Sequence, residues 1–366
     1  NDYQGVEISL SKVMEKDELF NIGNSDEYTR VRFGLFAAEE IIAADGSVIP
    51  ADGLISEVSL DENMTAKFDT ALPFGKYYVK EVKTAHGYVL DKEPRYVDLS
   101  YRDQDTPVIT YDEKWQNARQ KVKVTVVKKE KDTERVLAGG VFGLYTSENI
   151  KNAKGEVLLE KDSLIEQRVT DEKGQITFTA DLPVDGKYYV KEIFAPDGFV
   201  TTDEVQEFTF EYAGEDQAEV SYDFTFENQP TTVELTKTDL TTGKELPGAK
   251  LTILDEDGKV VESWTSTEEA HYIEMLPIGK YMLREETAPE GYLVAKDVEF
   301  EVKDTAEVQK VVMVDEEKPK ESTPEGGKPS KDAPKTGDNT NLLLWLIVLG
   351  MSFSGVVVLG RKIKKK

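Results

Sequence analysis

The chain has no cysteine among its 366 residues, so no disulfide staples it and no thiolate nucleophile or metal centre can be built. Histidine is nearly as scarce. His86 and His271 stand far apart, which excludes a histidine-rich metal cluster and a Cys/His catalytic pair. Neither metal nor cofactor is expected. Positive charge is in deficit, with 45 Lys and Arg against 71 Asp and Glu, for a formal net charge of −26. Nucleic acid and anionic lipid both need a basic face, so this balance argues against them as partners. No long amphipathic helical pattern is evident before the last apolar run. The first residue is Asn1, with no Met and no basic, apolar leader. The expectation is a piece of a longer protein whose N-terminal region, with any export signal, precedes it.

What is present is ordinary globular material, 39% hydrophobic and 32% charged, of a length that suggests two or three domains. The last stretch is different. Residues 342–360 carry no charge and match about one bilayer core in length as a helix. Arg361, Lys362, Lys364, Lys365 and Lys366 follow, and positive charge collects on the cytoplasmic side. A transmembrane segment at 342–360 and a basic cytoplasmic tail at 361–366 are therefore expected. Residues 318–341 read as a Pro/Lys-rich, disordered linker.

Within that linker, Ala333-Pro334-Lys335-Thr336-Gly337 resembles the LPxTG sorting signal of Gram-positive wall proteins. The order of pentapeptide, apolar run and basic tail strengthens the resemblance beyond a short motif. It implies cleavage by sortase between Thr336 and Gly337. The Thr336 carbonyl would then be joined to an amine of peptidoglycan or of another pilin subunit, leaving the membrane as a transient anchor. Ala333 stands where the family usually has Leu, which leaves the sortase class open.

The region before the linker repeats three times. Leu72-Pro73, Leu182-Pro183 and Leu276-Pro277 each open a segment that runs through a Gly-Lys-Tyr turn to a Glu: Glu81, Glu192 and Glu285. In each copy a Gly follows that Glu by six residues, at Gly87, Gly198 and Gly291. Upstream lie the strand-like runs Phe33-Gly34-Leu35, Phe142-Gly143-Leu144 and Leu251-Thr252-Ile253. Short alternating strands with turn residues between them predict three all-β sandwiches over 1–119, 120–230 and 231–317. Lys173-Gly174 and Asp257-Gly258 read as hairpin turns. The Asp255–Gly258 run also faintly resembles a calcium loop, but lacks the downstream bidentate Glu.

Side chains alternate faces along a strand. In the first strand of each copy, Lys12, Lys128 and Lys237 share parity with the apolar residues before them. Glu81, Glu192 and Glu285 share parity with Tyr77 and Val79, Tyr188 and Val190, and Tyr281 and Leu283. In the last strand, Asn117, Asn228 and Asp315 share parity with Trp115, Phe226 and Met313. One Lys, one Glu and one Asn or Asp thus aim at the core in every copy. Burying such groups is costly unless they pair or neutralise. A buried or rim salt bridge is one reading of each Lys–Glu couple, and a strand-terminal Lys that emerges into water is another; the same triad in three copies, each on the apolar parity, shifts the balance away from both.

The segments Tyr281-x-Leu283-x-Glu285-x-x-Ala288-Pro289-x-Gly291-Tyr292 and Tyr188-x-Val190-x-Glu192-x-x-Ala195-Pro196-x-Gly198 resemble the E-box of Cna B-type domains. These domains occur in pilins and adhesin stalks of Gram-positive bacteria. The resemblance implies prealbumin-like, reverse-immunoglobulin sandwiches. It also implies intramolecular isopeptide bonds: Lys12–Asn117 promoted by Glu81, Lys128–Asn228 by Glu192, and Lys237–Asp315 by Glu285. Module 1 departs from the E-box, with Ala85-His86 where the Pro-x pair belongs, and Asp112 stays a rival acceptor there. Lys129 and Glu286, off parity, are expected to be spectators.

The function this implies is a secreted, wall-anchored stalk or pilus subunit supporting adhesion. Modules that themselves bind a host extracellular-matrix protein are the alternative. A pilus shaft subunit is a further one, but the Tyr-Pro-Lys motif that often supplies its acceptor lysine is absent from the sequence. A true enzyme is not expected, because the reactive groups would be consumed in one self-reaction.

Overall fold

The computed structural model describes residues 5–319 except positions 19, 24, 25, 43, 44, 153 and 154. The sorting-signal residues 333–337, the apolar run 342–360 and the tail 361–366 lie outside the described residues. Among the described residues, no helix is long and apolar enough to cross a membrane. Apart from one short 3-10 turn at Glu27–Arg30, every regular element among the described residues is a strand.

The alternation that predicts strands also sets which face each buries. In Lys121–Glu130, Val124, Val126 and Lys128 are buried while their neighbours are not. In each module the first strand is the centre of a three-stranded sheet. Gly5–Met14 lies between Thr65–Phe68, antiparallel, and the last strand Val108–Asn117, parallel. Lys121–Glu130 lies likewise between Gln175–Phe178 and Glu219–Asn228, and Thr232–Asp239 between His271–Glu274 and Gln309–Asp315. A four-stranded antiparallel sheet covers each core from the other side. In module 1 its order is Leu54–Ser59, Arg32–Ala37, Gly75–Lys83, Arg95–Leu99, and modules 2 and 3 repeat that order. Three hydrophobic clusters fill the three sandwiches.

The turns are made as their residues dictate. Asp171 Oδ1 accepts the N–H of Lys173 and of Gln175, and Gly174 takes φ +66°. Asp255 Oδ1 does the same for Asp257 and Lys259, with Gly258 at φ +78°. The Asp255 carboxylate is thus occupied in shaping a turn, and among the described residues no group of metal-ligating side chains gathers.

Parallel pairing places the first and last strands side by side in one register. Lys12, Lys128 and Lys237 stand opposite Trp115, Phe226 and Met313. Each expected acceptor lies two residues further on, one diagonal step away on the same face.

The modules meet through close contacts. Between modules 1 and 2, the buried Arg119 pairs with Asp17 at 2.9 Å and Asp181 at 2.8 Å, and donates to the Leu182 carbonyl. Lys121 bridges Glu15 and Asp181. Phe20 packs into the hydrophobic cluster of module 2. His86 contacts Asp185 at 2.6 Å and its ring lies 4.5 Å from that of Tyr212, whose hydroxyl donates to the Tyr88 carbonyl. Between modules 2 and 3 the contact is largely main chain. Thr231 N–H donates to the Gly198 carbonyl, and Thr201 N–H to Asp304 Oδ1. Gly198 lies so close to Met275 that a Cβ there would be 2.4 Å from its carbonyl oxygen.

Candidate functional sites

Each site is assembled from three strands. The first strand brings the Lys, the third strand of the four-stranded sheet brings the Glu, and the last strand brings the acceptor. All nine of these side chains belong to buried residues.

In module 1, Lys12 Nζ lies 3.3 Å from Glu81 Oε1, both side chains at 0% exposure, and donates to Asn117 Oδ1. Asn117 Nδ2 faces Glu81 Oε1 at 2.9 Å and Oε2 at 3.0 Å. It also faces the Val89 carbonyl at 2.9 Å and Thr84 Oγ1 at 2.5 Å. The aromatic pair Phe33 and Trp115, edge to face, encloses the amine, with Lys12 Nζ 5.4 and 5.9 Å from the ring centroids.

Module 2 repeats the arrangement. Lys128 Nζ is 3.1 Å from Glu192 Oε1, both side chains fully buried, under the Phe142 ring at 5.6 Å. Asn228 Nδ2 donates to Glu192 Oε2 at 2.7 Å and to the Val200 carbonyl. Lys128 Nζ, Glu192 Oε1 and Asn228 Oδ1 have no aligned hydrogen-bond partner among the described residues. In module 3, Lys237 Nζ is 3.0 Å from Glu285 Oε1 and contacts Asp315 Oδ1. Leu251 and Met313 replace the aromatic pair there.

A further partner recurs that sequence reading did not find. Ten residues after each Glu, a backbone N–H donates to its Oε2: Asp91 to Glu81 at 2.9 Å, Thr202 to Glu192 at 2.9 Å, and Ala295 to Glu285 at 2.6 Å. This bond fixes the carboxyl so that Oε1 points at the amine. The constant spacing is its only trace in the sequence.

Burial sets the electrostatics. It holds the Lys12 and Lys128 amines below the ordinary lysine range, against the pull of Glu81 and Glu192. It pushes the Glu81 carboxyl up, and it pushes Asp315 up despite Lys237 beside it. Burial thus shifts both members of the module 1 couple toward their uncharged forms. That couple can bring a nucleophile to the acceptor's side-chain carbonyl and a proton to the nitrogen beside it.

Asp112 is not part of the module 1 site. It stands an odd number of residues before Asn117, so it is exposed on the opposite face, bonded to Ser9 Oγ. Lys129 pairs with Glu134 at 2.5 Å, and Glu286 is exposed.

A family profile described as the SpaA prealbumin-like fold domain matches the chain three times, over residues 6–115, 122–225 and 231–317. No curated protein matches the chain. Among solved structures, the Bacillus anthracis TIE protein aligns with a TM-score of 0.50 and 24% identity, covering 85% of this chain and 51% of that one. The chain thus spans about half the length of that protein. BcpA, the major pilin subunit of Bacillus cereus, aligns over 85% of this chain and 99% of its own, with 15% identity and a TM-score of 0.39. Shaft pilin SpaA from Lactobacillus rhamnosus GG aligns over 55% and 98%, with 16% identity and a TM-score of 0.26. The likeness to the TIE protein is one of fold.

Proposed function

The chain belongs to the SpaA prealbumin-like fold family, and from that premise we propose that it is a wall-anchored surface stalk or pilus subunit whose modules each close an intramolecular isopeptide bond. One observation carries the reading: the same buried Lys–Glu–acceptor triad, in the same strand register, occurs in all three modules. A salt bridge alone accounts poorly for it. A buried ion pair returns little net stability, and the Asn or Asp beside each pair would be superfluous.

The chemistry balances in each module. Neutral Lys Nζ attacks the side-chain Cγ of the acceptor, and in modules 1 and 2 the leaving nitrogen faces the Glu carboxyl. The Nζ–Cγ bond forms and the bond from Cγ to the leaving atom breaks. One amine proton travels through the Glu to the leaving group, and the Glu returns to its starting state. Asn117 and Asn228 lose ammonia; Asp315, reacting as the acid, loses water. The raised proton affinity of Asp315 supports the last step. These groups react once, so the protein is its own substrate and does not turn over.

Thr336 is then the acyl donor to sortase, and the stalk ends up at the cell surface, joined to peptidoglycan or to another pilin subunit. The sequence order of signal, apolar run and basic tail supports this. The decisive measurement is the intact mass of recombinant residues 1–330, beside Glu81→Ala, Glu192→Ala and Glu285→Ala variants. The expected deficit is two ammonias and one water, smaller by one loss in each variant. A mass equal to the open chain would overturn the cross-linking. A Thr336→Ala protein that still reaches the wall fraction would overturn the anchoring.

A further inference from the structure

The turn that follows the Glu differs in one chemically important place. Three residues beyond it, modules 2 and 3 have Ala195 and Ala288, whereas module 1 has Thr84. Thr84 is only 5% exposed, and its Oγ1 lies 2.5 Å from Asn117 Nδ2. On the cross-linking reading above, on which this inference rests, that nitrogen is the leaving group.

A primary amide nitrogen has two hydrogens to donate. Asn117 Nδ2 has three acceptor groups around it: the Glu81 carboxyl, the Val89 carbonyl and the Thr84 hydroxyl. Asn228 Nδ2 in module 2 has two, Glu192 and the Val200 carbonyl. The module 1 set exceeds what the amide can satisfy. It matches what the nitrogen becomes. After Lys12 adds to Cγ and the proton arrives, the nitrogen carries three N–H bonds and a positive charge. A hydrogen bond from a charged donor is roughly twice as strong as a neutral one.

We infer that the Thr84 hydroxyl accepts the third N–H of the departing nitrogen and so speeds ammonia loss from Asn117. The balance of the step is unchanged: Nζ–Cγ forms, Cγ–Nδ2 breaks, ammonia leaves with the proton from Lys12, and Thr84 gives up nothing. Before the step, the same contact helps hold the amide with its oxygen toward Lys12 and its nitrogen toward Glu81. Module 1 thereby gains at Thr84 a contact that its departure from the Ala-Pro pattern makes possible.

The test follows the Lys12–Asn117 and Lys128–Asn228 linkages with time after cell-free synthesis of the full chain, by intact mass and peptide mapping. The module 2 linkage is the internal clock and reports that the chain has folded. Thr84→Val keeps the shape and drops the acceptor; Thr84→Ser keeps the acceptor and drops the methyl. The expected result is that the valine variant closes module 1 about tenfold more slowly relative to module 2, about 1.36 kcal/mol in barrier, while the serine variant closes at the native pace. A valine variant that matches the native chain, or a serine variant as slow as valine, would overturn the role of the hydroxyl. A native chain in which neither linkage ever forms would instead overturn the cross-linking reading itself.

Discussion

Replacing Glu192 by Gln would remove the acid from module 2 while keeping the side chain's length. Glu192 is fully buried 3.1 Å from Lys128 and holds the Asn228 amide and the Thr202 N–H. Gln cannot relay the proton, so Lys128 and Asn228 stay unjoined. The loss has two parts. On the chain-entropy account, a bond closing a loop of ~100 residues contributes roughly 4–5 kcal/mol. The second part is a buried lysine left without its carboxylate, which on its own is worth about 3–5 kcal/mol in comparable pairs. The first part alone corresponds to a fall in melting temperature of roughly 15–35 °C for a domain of this size. The two parts can be separated by the double variant Lys128→Met, Glu192→Leu. It removes both charges, so only the covalent contribution should be missing. Calorimetry of the whole chain, with modules 1 and 3 as internal references and intact mass on the same samples, gives the answer. A double variant that melts with the native module 2 would refute the covalent contribution.

Three further outcomes are expected. Before closure, the lowered affinity of Lys12 costs module 1 stability below its folded pKa, and the cost fades as pH rises toward the ordinary 10.5. The raised Glu81 costs stability above its folded pKa, and that cost fades as pH falls toward 4.5. Closure needs a single proton shared by the pair, so its rate should be flat through neutrality and fall on both sides; a rate climbing tenfold per pH unit there would contradict this. Arg119→Ala strands Asp17 and leaves Asp181 to Lys121 alone at the first joint. After discounting for the water that reaches Asp181, about 2–4 kcal/mol should be lost and the module 1 and 2 transitions should separate in calorimetry; unchanged transitions would show that the joint is held elsewhere. Gly198→Ala and Gly139→Ala both force a side chain into left-handed backbone, at φ +82° and +88°, costing roughly 1–2 kcal/mol each. Only the first meets Met275, so protease cutting near Thr231 should rise in that variant alone; equal rises would refute a tight second joint.

The fold and the triads were legible because both are written in strand parity. Lys12, Glu81 and Asn117 lie on the apolar parity of three separate strands, and the sheets bring those faces together. Parity would also have removed Asp112, since an odd offset from Asn117 sends it to water. The joints were not legible. Phe20 lies in a segment without strand periodicity, and nothing local marks it as a part of the module 2 core. Arg119 reads as a surface residue after a strand, yet it is 3% exposed because its partners arrive from residues 17 and 181. Thr84 was visible only as a departure from a pattern; its value came from the nitrogen beside it.

The parallel register of first and last strands has one more consequence. Both strands run the same way, and the proposed bonds lie near their far ends, at Lys12 with Asn117 and at the matching pairs. A pull along the chain would then be carried by the opening residues of each first strand, cross to the acceptor, and pass on through the residues that follow it. The stretch from residue 13 to 116, and its equivalents, hangs beside that line as a closed loop. With those bonds closed, its hairpins, its small ribbon at Ile41–Ile49 and its exposed aromatic Tyr96 would bear no tension. With the proposed bonds closed, such loops would be free to change sequence, length and surface chemistry without altering how far the chain extends under force.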